Sequence, residues 1–163
     1  MASNSKTATS LITALPIAYP LDDFYAQAGR PLPQIKSVDG DSVPEPFKSL
    51  LVHQNDMTPT LEAFYGERIH VEVMHRQQRD DYYFREVVLT TDGSKKPVEF
   101  GAIKINLGLF PPPARLRILE ERTPLGTILA DYHVTHTSRP KAFLHIVSDD
   151  FINKALKLDG EHV

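Results

Sequence analysis

The feature that most limits how this chain can fold is the stretch from Tyr82 to Asn106. Two β-rich runs, residues 82–91 and 98–106, flank an Asp92-Gly93 pair. Asp-Gly readily takes the positive φ that tight hairpin connections need, so an antiparallel hairpin is predicted. Strand alternation then sets Tyr83, Arg85, Val87 and Leu89 on one face, and a guanidinium projects among side chains that favour burial. A permanent charge in apolar surroundings costs several kcal/mol unless it is paired, and the planar fork of arginine suits a carboxylate. Two partners stay open: an internal acid such as Glu72 or Glu99 on a neighbouring strand, or a small anionic ligand held within residues 50–130. Gly101 in the second run weakens a strand unless a bulge or a close ligand needs the room.

The flanking segments are shorter. Residues 1–10 are small and polar and are expected to be a disordered N-terminus, leaving residues 11–163 as a single domain. Residues 11–18 are too short and too weakly flanked for a convincing leader, and no apolar run approaches the roughly 20 residues that cross a bilayer. Prolines 16, 20, 31, 33, 44 and 46 make the next part an irregular wrapping with one short helix, residues 21–28, stopped by Gly29. Thr58-Pro59 offers a helix start and Gly66 a stop. Residues 68–75 alternate as a half-buried strand, and residues 114–122 and 125–130 have helical composition. Further strands are predicted at residues 132–137 and 142–147, and a terminal helix at residues 149–157 capped by Ser148. Without sustained βαβ alternation, the fold class is α+β: an antiparallel β-sheet with short helices packed on it.

Composition removes several function classes. A chain of 163 residues with 41% apolar content supports one core. A net charge of −3 gives no basic field for nucleic acid or an anionic membrane. The absence of cysteine removes disulfides, thiol nucleophiles and thiolate metal sites, and fits a cytoplasmic address. His133, His136 and His145 lack the spacing of a metal motif, and neither a Gly-x-Ser-x-Gly elbow nor a glycine-rich phosphate loop occurs.

Read in order, Leu50-Leu51-Val52-His53, Asp56-Met57-Thr58, Tyr83-Phe84-Arg85-Glu86-Val87-Val88-Leu89, Asp92-Gly93, Pro97, Gly101 and Thr123-Pro124-Leu125-Gly126 resemble the ordered motifs of the chorismate lyase (chorismate–pyruvate lyase, 4-hydroxybenzoate synthase) family. The resemblance covers about residues 50–130, and part of it also occurs in the related UTRA effector-binding domains. It implies a closed pocket on an antiparallel sheet, binding chorismate or a related small cyclic carboxylate, and elimination of pyruvate with neither metal nor other cofactor. By the same resemblance Arg85 matches the arginine that holds the substrate carboxylate, Met57, Thr58, Leu125 and Gly126 match pocket-lining positions, and Gly101 matches a glycine beside the bound ring. One departure concerns the family's glutamate on a strand near the C-terminus, which has no clear equivalent here. Aligning Ile146-Val147-Ser148-Asp149 there offers Asp149 as a shorter catalytic carboxylate, whereas Ser148-Asp149-Asp150-Phe151 reads as a helix start. In the latter case the last hairpin is missing, the sheet keeps an open edge, and a homodimer or an added partner strand is expected. A non-catalytic aromatic-acid sensor with the same arginine is the second functional expectation.

Overall fold

The computed structural model describes residues 16–159. The elements run α1 (Leu21–Gln27), β1 (Ile35–Val38), α2 (Phe47–Leu51), α3 (Met57–Tyr65), β2 (Ile69–Arg79), β3 (Tyr82–Thr91), β4 (Pro97–Asn106), α4 (Pro112–Leu119), α5 (Leu125–Asp131), β5 (Phe143–Ile146) and α6 (Asp150–Leu156). Strands β2, β3 and β4 form a three-stranded antiparallel meander, and β1 pairs with β5 in a separate two-stranded antiparallel sheet. The fold is therefore α+β, with the predicted hairpin as the centre of its larger sheet.

The central strand is buried on both faces from Tyr83 to Thr91. On one face its residues join two hydrophobic clusters. Val87 and Leu89 pack with Leu50, Leu61, Ile69 and Val71, while Tyr83 packs with Ile105, Leu107, Ala114, Ile118 and Ile128. Arg85 falls between these clusters. The opposite face carries Phe84, Glu86 and Val88, and α1 and α6 pack over that side through the Tyr25–Phe151 and Phe100–Phe151 edge contacts. A register shift between Val73 and His75 brings His75 opposite Glu86 and within 2.7 Å of its carboxylate. The extra residue thus switches the odd-numbered residues of β2 from the Arg85 face, which carries Ile69, Val71 and Val73, to the Glu86 face, which carries His75.

Several local expectations are corrected. Helix α3 is capped at Asp56, so Thr58 and Pro59 lie inside its first turn, although Gly66 closes it in a left-handed conformation (φ 65°) as predicted. The β3–β4 loop spans residues 92–96, too long for a two-residue turn, and its positive φ belongs to Lys95. Gly93 instead donates its N–H to the Glu67 carboxylate at 2.8 Å. Residues 132–137 form no strand: His133 turns the chain with φ 51° as α5 ends, and the segment pairs with no neighbouring strand. Helix α6 is capped by Asp149, whose side chain accepts from the Ile152 N–H at 2.8 Å, in place of Ser148. Strand β5 does not extend the main sheet but joins β1, so the C-terminal part closes over the molecule in a way that the expectation of a missing hairpin did not contain. Residues 1–10, expected to be disordered, lie outside the described residues. Among the described residues no helix is long and apolar enough to cross a membrane.

Candidate functional site

The apolar pattern of β3 is interrupted by one charge, and the space above it is a cavity of about 1000 Å³. That volume is at the upper end for small-molecule pockets. Its floor is one face of the main sheet: Arg85, Val87 and Leu89 from β3, with Glu99, Gly101 and Ile103 from β4. Walls come from Met57 and Thr58 at the start of α3 and from Leu125 and Gly126 at the start of α5. The cover is built from the segment between β1 and α3, and from residues 137–146 running into β5.

Six of the seven residues singled out from the sequence therefore come together: Arg85, Met57, Thr58, Gly101, Leu125 and Gly126 all line this cavity. Asp149 does not. Its carboxylate caps α6 and lies beside the Tyr25 hydroxyl, where burial and the neighbouring acid push the tyrosine pKa up. The physical reason is local: an acid preceding a helix satisfies exposed N–H groups at its start, and this holds Asp149 to its own backbone.

Arg85 is only 2% exposed, yet it makes no ion pair among the described residues. Its Nη1 donates a long hydrogen bond to the Ile118 carbonyl at 3.5 Å, and its buried Nε has no partner. The internal ion pairs left open by the sequence are absent. Glu72 is exposed beside His70, and Glu99 lies further along the floor with its Oε2 unpartnered. The acid that does influence Arg85 is Glu121. That carboxylate is already bound by Arg76 and the Tyr83 hydroxyl, which hold it below the usual range against the opposing effect of burial. Burial lowers the Arg85 pKa, but a guanidinium stays charged at any physiological pH.

Glu99 is the group whose place in the site sequence reasoning missed. It was considered only as a mate for Arg85, although the hairpin register contains the signal: Glu99 stands opposite Leu89, Gly101 opposite Val87 and Ile103 opposite Arg85. All six point to one face. Burial without any compensating partner pushes the Glu99 carboxyl up to about 7. The chamber thus holds a fixed cation and an acid that keeps its proton well above the usual carboxylate range.

The cover is tied down at one point. His136 lies 2.7 Å from Asp56 through Nε2 and 2.8 Å from the Val134 carbonyl through Nδ1, and Ser138 donates to the other Asp56 oxygen. A carboxylate and a carbonyl facing the two ring nitrogens both demand N–H donors, so the imidazolium is favoured and the His136 pKa is raised. Against the opposing effect of burial, the hydrogen bonds from Ser138 and His136 hold Asp56 below the ordinary carboxylate range.

The two glycines of the site act differently. A Cβ on Gly126 would come 2.8 Å from Oγ1 and 3.0 Å from Cβ of Thr58, so α5 approaches α3 only because no side chain intervenes. A Cβ on Gly101 would meet nothing nearer than Glu99 Oε1 at 4.0 Å. Gly126→Ala is expected to destabilise the fold by about 1 to 3 kcal/mol through overpacking, whereas Gly101→Ala keeps the urea midpoint and narrows the chamber floor. Equal losses of stability in the two variants would contradict this assignment of space.

No family model, no curated protein and no solved structure matches the chain.

Proposed function

We propose that the protein binds chorismate or a closely related cyclic carboxylic acid in this chamber and eliminates pyruvate from it without a cofactor, leaving a hydroxybenzoate. The observation that carries the proposal is the unpaired, buried Arg85 guanidinium facing a large, mostly apolar cavity. A bidentate carboxylate supplies what the protein itself withholds. The chemistry asks little more of the site. The bond between ring carbon and enol ether oxygen breaks, the ring gives up one hydrogen as it becomes aromatic, and a proton is taken up at the departing methylene as pyruvate forms. Orientation by Arg85 and exclusion of water by the cover are the protein's contributions.

One observation favours a second reading, binding without turnover: Asp149, the acid that alignment offered for catalysis, caps a helix and does not line the chamber. The two are separated by incubating the protein with chorismate, following pyruvate through lactate dehydrogenase and NADH, and titrating 4-hydroxybenzoate by calorimetry. Pyruvate and 4-hydroxybenzoate in equal amounts, with both turnover and binding reduced at least about 100-fold in Arg85→Lys because a point charge cannot replace the fork, are the results expected. Binding without pyruvate leaves the sensor reading. Neither binding nor turnover removes both.

A further inference from the structure

The second charged residue on the chamber floor has no assigned task. Glu99 sits on β4, four strand residues along the sheet from the level of Arg85, since it faces Leu89 where Ile103 faces Arg85. At the usual rise of a strand this is about 13 Å. Between them lies Gly101, and Glu99 Oε1 comes within 4.0 Å of where a Gly101 Cβ would stand. The carboxyl therefore leans over the glycine. The apolar floor beside it is Val87, and the remaining oxygen, Oε2, is buried without a hydrogen-bond partner. Glu99 as a whole is half-buried, but a carboxyl oxygen buried without a hydrogen-bond partner costs stability, and one in a cavity wall is placed for a group that the protein does not supply.

We propose that Glu99 is a specificity-determining ligand contact: its carboxyl donates a hydrogen bond to an uncharged oxygen, an ether, hydroxyl or carbonyl, on the side of the ligand ring away from the carboxylate held by Arg85. The ligand class is then a cyclic carboxylate with an uncharged oxygen acceptor across the ring from the carboxylate that Arg85 holds. Arg85 and Glu99 stand on one face of the floor with the side-chain-free Gly101 between their levels, which leaves room there for a ring bearing a carboxylate at one end and an oxygen at the other. An apolar substituent in the same place leaves the Glu99 proton unsatisfied. A second carboxylate there meets either an acid that must stay protonated or, at higher pH, a like charge. This inference rests on the reading of Arg85 as the carboxylate anchor.

Protonation of Glu99 is set by burial. The other titratable or charged side chains on the chamber walls are His53, Asp56, Arg85, Arg139 and His145. Asp56 is held by His136 and Ser138, His53 is bonded to the Leu50 carbonyl and the Asn55 N–H, and Arg85 is permanently charged. His145 lies on β5, and the exposed Arg139 belongs to the cover. A comparison of two isosteric ligands cancels what these groups do to any carboxylate.

The test uses the full chain and two probes of nearly equal shape, 4-methoxybenzoate, whose ether oxygen only accepts, and 4-ethylbenzoate, which offers no acceptor. Both are anions at pH 5.5 and at pH 8.5. In the wild type, 4-methoxybenzoate is expected to bind about fivefold more tightly than 4-ethylbenzoate at pH 5.5, the worth of one net hydrogen bond, and to lose that preference at pH 8.5. Glu99→Gln, whose amide donates at any pH, keeps the preference at both. Glu99→Leu abolishes it at both while still binding 4-ethylbenzoate. A preference that survives in Glu99→Leu, or that is independent of pH in the wild type, overturns the role of Glu99 and leaves Arg85 as anchor intact. Undiminished 4-ethylbenzoate binding in Arg85→Met, or no binding of either probe by the wild type, overturns the anchor reading and this inference with it.

Discussion

Arg85→Met is expected to bind no carboxylate ligand and, without ligand, to unfold at higher urea concentration than the wild type. The two effects have one origin. The wild-type guanidinium is 2% exposed and lacks an acid partner among the described residues, so folding removes a charge from bulk water with only a long bond to the Ile118 carbonyl in return. Burying an unpaired charge costs several kcal/mol even after relaxation. Methionine is unbranched and comparable in reach, and it can lie between the Val87 and Tyr83 clusters without leaving the void that alanine would. A gain of about 2 kcal/mol is expected, at least a hundredfold loss of affinity accompanies it, and saturating ligand should stabilise the wild type but not the variant. Equilibrium urea denaturation with and without 4-hydroxybenzoate reads both. A destabilised variant that still binds would mean that the arginine serves the fold.

That trade explains why so much of the site was legible before any coordinates. A run such as Tyr83-Phe84-Arg85-Glu86-Val87-Val88-Leu89 cannot be exposed, so a charge inside it needs a specific explanation, and the alternation of a strand says which neighbours share its face. The β3–β4 hairpin, the helix closed by Gly66 and the short helix starting at Leu125 follow from equally local rules. What was not legible is how the cover closes. The strand expected at residues 142–147 is present as β5, but β1 falls in the proline-rich stretch read as irregular, and nothing local shows that these two four-residue strands, distant in the chain, pair Ile35 with Ile146 through Val38 with Phe143. Residues 132–137 show the converse error, since alternation alone does not make a strand where the chain finds no partner and His133 adopts a positive φ.

The sequence offered Glu99 only as a mate for Arg85, and its place as an unpartnered acid was missed for a related reason. The Asp92-Gly93 pair suggested where the hairpin turns but gave the wrong loop, and without the five-residue connection the facing pairs of β3 and β4 cannot be counted. Once the register is known, an acid two residues before Gly101 must share a face with Arg85, and its lack of a partner becomes visible. A polar residue on a buried face that finds no mate in the protein marks a place where sequence-to-fold consistency gives way to a site.

The sequestered carboxyl makes a second prediction that needs no ligand. With its pKa pushed up to about 7 from the ordinary glutamate value of 4.5, Glu99 binds a proton more tightly in the folded chain than in the unfolded one. Below pH 4.5 both states are protonated and the group has no effect on stability. As the pH rises from 4.5 towards 7 the unfolded state gives up the proton first, so folding loses free energy over that window, and above 7 the loss is complete and constant. Its size is about 3 kcal/mol at the usual conversion of a pKa shift. Glu99→Gln keeps shape and polarity without titrating, so the variant should match the wild type near pH 4.5 and exceed it by roughly that amount at pH 8. Urea midpoints of the two proteins at several pH values between 4 and 8 measure the difference directly. An anion seated on Arg85 adds a negative charge to the same chamber and raises the carboxyl further, so 4-hydroxybenzoate should carry the divergence to higher pH. Parallel profiles for the two proteins would show that Glu99 is hydrated in the cavity, and the chamber would then lack the protonated carboxyl on which the selection of an uncharged oxygen across the ring depends.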